Sequence, residues 1–193
     1  MQVSFCSKYK FISTDEFLLR FDFDEEAVMV ETNETAETAV ESGKNIYTVG
    51  AGPCTVYGIG INKNSPRATL GHHTSVPDKI TNALPELEQD RKKGFIIGGW
   101  RFPPDEFFEK TKAKYRENNV QATIFWGQNT DYYSDVCYVP KEDTVYISTT
   151  SKYDDKYIDN VEHLKRVFQT IEIAKGDKVY IGSKKINSLD IMT

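Results

Sequence analysis

Apolar residues in this chain fall mostly in short runs that alternate with polar ones, and stretches with helical spacing are few. Val3 to Phe11 and Phe17 to Phe23 alternate as half-buried strands do, and Ala27 to Glu31 continues the series after the acidic turn Asp24-Glu25-Glu26. Glu31 to Lys44 is polar throughout and reads as a loop or a short exposed helix. Asn45 to Val49 is a short strand that enters a Gly-rich turn. Thr55 to Asn62 is a strand weakened by two glycines, with a helical start at Cys54 as the alternative, and Arg67 to Thr74 is the next strand. Asp78 to Lys93 has helical spacing in Ile80, Leu84 and Leu87, with Asp78 as a cap and Pro85 as a kink.

The second half is easier to parse. Gly94 to Arg101 and Gln121 to Trp126 are apolar strands on either side of a helix over Pro104 to Asn118, whose stripe is Phe107, Phe108, Thr111 and Tyr115. Asp135 to Val139 and Thr144 to Thr149 form a hairpin around Pro140-Lys141-Glu142-Asp143. Tyr157 to Ala174 reads as one long helix with Ile158, Val161, Leu164, Phe168 and Ile171 on one face, and Lys178 to Ile181 as the last strand. Many strands with two to three helices predict an α+β layered sandwich with mixed, mainly antiparallel sheets. The helices are too few and too late for a doubly wound parallel sheet. No repeat or linker divides the chain, so residues 1–193 read as a single domain.

Composition narrows the function classes. A net charge of −5 argues against binding nucleic acid through phosphate neutralisation. No apolar run approaches the length of a membrane-spanning helix, and hydrophobic content of 39% with mean hydropathy −0.52 suits a soluble globular protein. The first residues lack the charged and apolar regions of a Sec-type signal. Three widely spaced cysteines do not make a disulfide framework, and neither CxxC nor HExxH is present to suggest zinc. His72 and His73 are adjacent on a strand and point to opposite faces, so they are poorly placed to share one metal ion. No cofactor is expected.

The chemistry concentrates in Thr48-Val49-Gly50-Ala51-Gly52-Pro53-Cys54 and Ala68-Thr69-Leu70-Gly71-His72-His73. A cysteine attacks as its thiolate, an imidazole takes the proton and returns one to the leaving group, and a third group fixes the imidazole's tautomer. Cys54, His72 and Thr48 can fill these roles, Thr48 through its hydroxyl or its carbonyl. A cysteine leaving a turn also has backbone N–H groups nearby that lower its pKa and hold an oxyanion. On generic chemistry the same residues more often describe a small buried cysteine and a satisfied core or surface histidine. Gly98-Gly99-Trp100-Arg101 and Trp126-Gly127-Gln128-Asn129 end apolar strands with polar groups that suit a cleft wall or plain strand punctuation. Tyr132-Tyr133 reads as a loop aromatic pair, His163 as solvent-facing, and Cys6 and Cys137 as core.

A threonine six residues before a cysteine in a Gly-containing turn, with a histidine on the next strand, resembles the cysteine protein glutamine deamidases. These include the chemoreceptor deamidase of bacterial chemotaxis, the catalytic domain of cytotoxic necrotizing factor, and a lethal-factor toxin acting on a host translation-initiation helicase. The match covers roughly Ile46 to Ser75. It implies a layered α/β core, catalysis by Cys54, His72 and Thr48, and conversion of a substrate protein's glutamine to glutamate. Thr69-Leu70-Gly71-His72 matches the family's Gly-Met-Ala-His-like strand and favours His72 over His73. The resemblance further implies a bacterial toxin or effector, exported to act in host cytoplasm on a protein such as a translation or signalling factor. The toxins carry Leu-Ser-Gly-Cys where this chain has Ala51-Gly52-Pro53-Cys54, so Pro53 supplies no N–H to an oxyanion while Cys54 still does. Gly52 is expected to supply the unusual backbone angle of the turn. Two other readings remain at this level: a non-catalytic binding protein that uses a sheet edge or the aromatic loop, and a cysteine hydrolase or transglutaminase with a different acceptor.

Overall fold

The computed structural model describes residues 8–21, 27–39, 42–60, 67–74, 93–100, 106–117 and 119–192. Two mixed sheets face each other. The first contains β1 (Lys8–Ile12), β2 (Val28–Met29), β4 (Ile46–Ala51), β9 (Tyr132–Val139), β10 (Thr144–Ser151), β12 (Lys178–Ile181) and β13 (Lys184–Ile186), in the order β13-β12-β1-β10-β9-β4-β2. The second contains β3 (Glu34–Ala39), β5 (Thr55–Gly60), β6 (Arg67–His73), β7 (Lys93–Trp100), β8 (Gln121–Gln128) and β11 (Phe168–Glu172), in the order β11-β8-β7-β5-β6-β3. Most neighbours are antiparallel; the parallel pairs are β1–β10, β1–β12, β2–β4 and β7–β8. The expected layered α+β sandwich is the observed one.

The space between the sheets holds the main core, including Tyr9, Phe11, Ile46, Val56, Leu70, Phe95, Phe125, Val136 and Ile147. Burying one face of each sheet is the dominant stabilising contribution. Helices cover the two outer faces. α1 (Thr14–Arg20) packs Phe17 and Phe21 onto Tyr146 of the first sheet. α2 (Glu106–Glu117) sets Phe108 and Tyr115 against Tyr57, Ile96 and Trp126 of the second. α3 (Val161–Val167) and α4 (Ser188–Ile191) contribute Leu164, Val167 and Ile191 to the interlayer core. Among the described residues no helix is long and apolar enough to cross a membrane.

Three elements differ from their sequence readings, each for a local reason. The described part of Phe17 to Phe23, Phe17 to Phe21, is not a strand: Ser13 accepts from the Glu16 N–H, Asp15 and Glu16 complement the helix start, and Phe17 and Phe21 fall on one helical face. Within Glu31 to Lys44, read as loop or short exposed helix, residues Glu34–Ala39 are strand. They form the edge strand β3, whose polar residues suit one half-exposed side while Ala36 and Thr38 turn inward. The long helix from Tyr157 shortens to Val161–Val167, capped by Asn160 accepting from the His163 N–H. The chain then becomes strand β11, where Phe168-Gln169-Thr170-Ile171-Glu172 pairs antiparallel with β8. Phe168 and Ile171 are therefore buried as strand residues, an outcome that their helical spacing concealed.

Several smaller corrections follow. Thr55–Gly60 is strand from its first residue, with no helical start at Cys54. Four α-helices occur among the described residues rather than two to three, and β13 and α4 follow the strand read as the last. Tyr132 and Tyr133 begin β9 instead of lying in a loop. The helix read over Asp78 to Lys93, the start of the first strand and Cys6 lie largely or wholly outside the described residues.

Candidate active site

The turn that presents Cys54 is built by a break in strand pairing. On β4, Thr48 pairs with Val136 and Ala51 with Ser134, so β4 contains one residue more than β9 across this interval. The bulge restores alternation. Thr48 and Ala51 both face the interlayer core, while Val49 is turned outward and 38% exposed. Gly50 takes φ +69, and its N–H donates to Asp135 Oδ1 at 2.7 Å. The left-handed backbone is thus at Gly50, not at Gly52 as the sequence suggested. Burial pushes the Asp135 carboxyl upward in pKa, and the Gly50 N–H partly offsets that.

Beyond the bulge the chain is held by its carbonyls. Gln128, 1% exposed at the end of β8, donates from Nε2 to the Ala51 carbonyl at 3.1 Å, the Gly52 carbonyl at 3.2 Å and the Tyr132 carbonyl at 3.0 Å. The Cys54 carbonyl accepts from the Gly99 N–H at 2.8 Å. Gly98 has φ +89, and a Cβ there would lie 2.5 Å from the Cys54 carbonyl oxygen. Gly98 and Gly99 on β7 and Gln128 on β8 therefore pack against the cysteine turn.

Cys54 is 8% exposed and belongs to the interlayer core cluster with Val56 and Leu70. Val56 lies opposite His72 on the antiparallel pair β5–β6. Cys54 lies two residues before Val56, just outside β5, and its sulfur makes no hydrogen bond to His72. Thr48 approaches from the opposite sheet. Its Oγ1 lies 2.7 Å from the Val30 carbonyl and 2.6 Å from His72 Nδ1. A carbonyl can only accept, so the single Thr48 hydroxyl proton goes to Val30. The Thr48 oxygen must then accept from His72 Nδ1–H. That fixes the tautomer and leaves Nε2 as the ring's lone-pair acceptor. His72 is 1% exposed and its Nε2 has no hydrogen-bond partner.

Burial sets the protonation states. It pushes the Cys54 thiol up, opposite to the lowering expected of a turn cysteine. Burial, with a smaller contribution from His73, pulls His72 down to about 4. Both groups are neutral near pH 7, so the resting site holds a thiol and an imidazole with no hydrogen bond between them rather than a thiolate–imidazolium pair. The arrangement suits proton transfer to Nε2 in step with attack by sulfur.

The other candidates separate clearly. His73 points to the far face of its sheet, where Nε2 meets Thr35 Oγ1 at 3.0 Å and the ring stacks on Tyr57. His163 is buried, not solvent-facing. Its Nε2 meets the Tyr132 hydroxyl at 2.9 Å and its Nδ1 meets Asp159 at 3.3 Å. Cys137 is fully buried on the outer side of the first sheet. Among the described residues no group of three or more His, Cys, Asp and Glu side chains is placed to hold a metal ion. The sequence did not single out Asp135 or Ser134 for the site. Both lie on β9 directly across the bulge, and only the pairing register identifies them. No protein-family model matches this chain, and no curated protein matches its sequence.

Proposed function

We propose that this protein is a cysteine-dependent glutamine deamidase acting on a protein substrate. The observation that carries the reading is the hydrogen bond from His72 Nδ1–H to Thr48, which leaves a buried, unpartnered Nε2 as the basic nitrogen of a ring in the same interlayer space as Cys54. A buried acceptor without a partner costs about 1–3 kcal/mol, and a reacting proton donor would relieve that cost.

In the reaction, Cys54 sulfur bonds to the side-chain carbonyl carbon of glutamine as its proton passes to His72 Nε2. The resulting oxyanion faces the turn, where the Cys54 N–H is the available donor type once Pro53 removes its own. His72 returns the proton to the amide nitrogen, the C–N bond breaks and ammonia leaves. Water then adds to the thioester with Nε2 as base, releasing glutamate and restoring the thiol. Thr48 holds the productive tautomer throughout. The change replaces a neutral donor–acceptor side chain with an anion, enough to disable a buried or catalytic glutamine in the target. The acidic chain and the resemblance of Thr48, Cys54 and His72 to the deamidase toxins support a bacterial effector that modifies a host translation or signalling protein.

The test is incubation of the chain with a eukaryotic cell extract, followed by ammonia measurement and mass-spectrometric mapping of glutamine-to-glutamate conversion. Conversion confined to one or few proteins and lost in Cys54→Ser is the expected result. Conversion that persists in Cys54→Ser overturns the mechanism. Added primary amine separates the transglutaminase reading, which predicts amide adducts in place of acid.

A further inference from the structure

We infer that Gln128 is a positioning residue for the cysteine turn, an inference that rests on the deamidase reading and adds to it a residue outside the Thr48–Cys54–His72 set. The three carbonyls around Nε2 can only accept, which fixes the amide orientation. Two N–H bonds serve three acceptors, so Ala51 and Gly52 of the one turn and Tyr132 of β9 are tied to a single nitrogen. Oε1 in turn accepts from Ser134 Oγ at 2.6 Å. Ser134 Oγ, with its proton spent on Gln128, accepts from Thr149 Oγ1 at 2.8 Å. Gln128, Ser134 and Thr149 are each at most 1% exposed, so the relay has no competing water.

This relay decides which backbone dipoles face the nucleophile. Holding the Ala51 and Gly52 carbonyls on Gln128 keeps their negative ends away from the place where the oxyanion would form. The Cys54 N–H is left as the donor of the turn that the clamp does not use. The Gly99 N–H fixes the Cys54 carbonyl from the other side. Releasing the clamp frees two carbonyls to swing and lets solvent reach the thiol.

The experiment uses the full chain and iodoacetamide, with site-resolved mass spectrometry across pH and Cys137 as internal reference. Gln128→Met keeps the side-chain length and removes the donors. The expected result is faster Cys54 alkylation near pH 7, by about fivefold or more, with the titration midpoint moving down toward the ordinary thiol value near 8.5. Cys137 should be unchanged, and glutamine turnover should fall by about tenfold or more in kcat at constant KM. Ser134→Ala, which leaves Gln128 in place without its orienting donor, should move the same readings by less and serves if Gln128→Met does not fold. Cys54 rates and midpoints within about twofold of wild type in a folded variant overturn the inference, as does an equal rise at Cys137. If wild type releases no ammonia yet Cys54 reactivity follows Gln128, the clamp stands and the deamidase reading falls.

Discussion

Thr48 binds His72 as an acceptor, because its own proton is committed to the Val30 carbonyl. The 2.7 Å contact to Val30 and the 2.6 Å contact to His72 Nδ1 leave no other assignment for one hydroxyl hydrogen. The consequence is chemical: Nε2, the unpartnered ring nitrogen, is the basic one.

Thr48→Val and Thr48→Ser should therefore behave differently. Valine keeps the shape but strands His72 Nδ1–H and the Val30 carbonyl, at about 1–3 kcal/mol of stability by chemical denaturation. It also frees the ring to take the other tautomer, so glutamine turnover should fall about 100-fold. Serine supplies the same oxygen and should stay within about tenfold of wild type. Equal losses in the two variants would remove Thr48 from the mechanism.

His72 makes stability depend on pH in a defined direction. It titrates at about 4 in the fold and near 6.5 when unfolded. Between those values the unfolded chain binds the additional proton, so acidification favours unfolding. The contribution is whole above about pH 6.5, is lost as pH falls to about 4, and is constant below. At about 1.4 kcal/mol per tenfold change in proton affinity, it amounts to about 3 kcal/mol. Urea denaturation at several pH values should show wild type losing about 2–3 kcal/mol more than His72→Gln across this window. Parallel curves for the two proteins would contradict it. The acid limb of turnover should likewise lie near 4 rather than 6.5.

The two glycines that shape the turn should differ in tolerance. Gly50 has φ +69 but open space where a Cβ would be, so Gly50→Ala should cost only about 1 kcal/mol of backbone strain. Gly98 combines φ +89 with a Cβ position 2.5 Å from the Cys54 carbonyl oxygen. Gly98→Ala should cost about 3 kcal/mol or more and displace Cys54. Melting of both variants and Cys54 alkylation check this, and equal destabilisation would contradict it.

Strand alternation put His72 and His73 on opposite faces, and the family-like spacing of Thr48, Cys54 and Thr69-Leu70-Gly71-His72 singled out the three residues. What alternation could not supply is the bulge. One added residue between Thr48 and Ala51 decides that both face inward, and it is visible only as a pairing register. Gln128 was visible as a polar group ending an apolar strand, but its two partners in the cysteine turn are backbone carbonyls 76 and 77 positions away. No local pattern encodes such a contact. Phe17 and Phe21, spaced by four, also fit two alternations of a strand, and the Ser13 cap decides between them. Phe168 and Ile171 misled in the opposite sense: the helix ends and the same apolar residues continue as β11. The direction of the Cys54 pKa was missed because turn N–H groups are apparent in sequence whereas burial between two sheets is not.

The central claim is that Cys54 attacks a glutamine side chain with His72 as its base. Incubation with a glutamine-mimicking diazoketone or chloroketone, read by intact mass and peptide mapping, tests it most directly. The account predicts one adduct per chain, on Cys54, formed at least about tenfold more slowly in His72→Gln and unaffected in His73→Gln. Labelling spread equally over Cys54 and Cys137, or unchanged by His72→Gln, would contradict it.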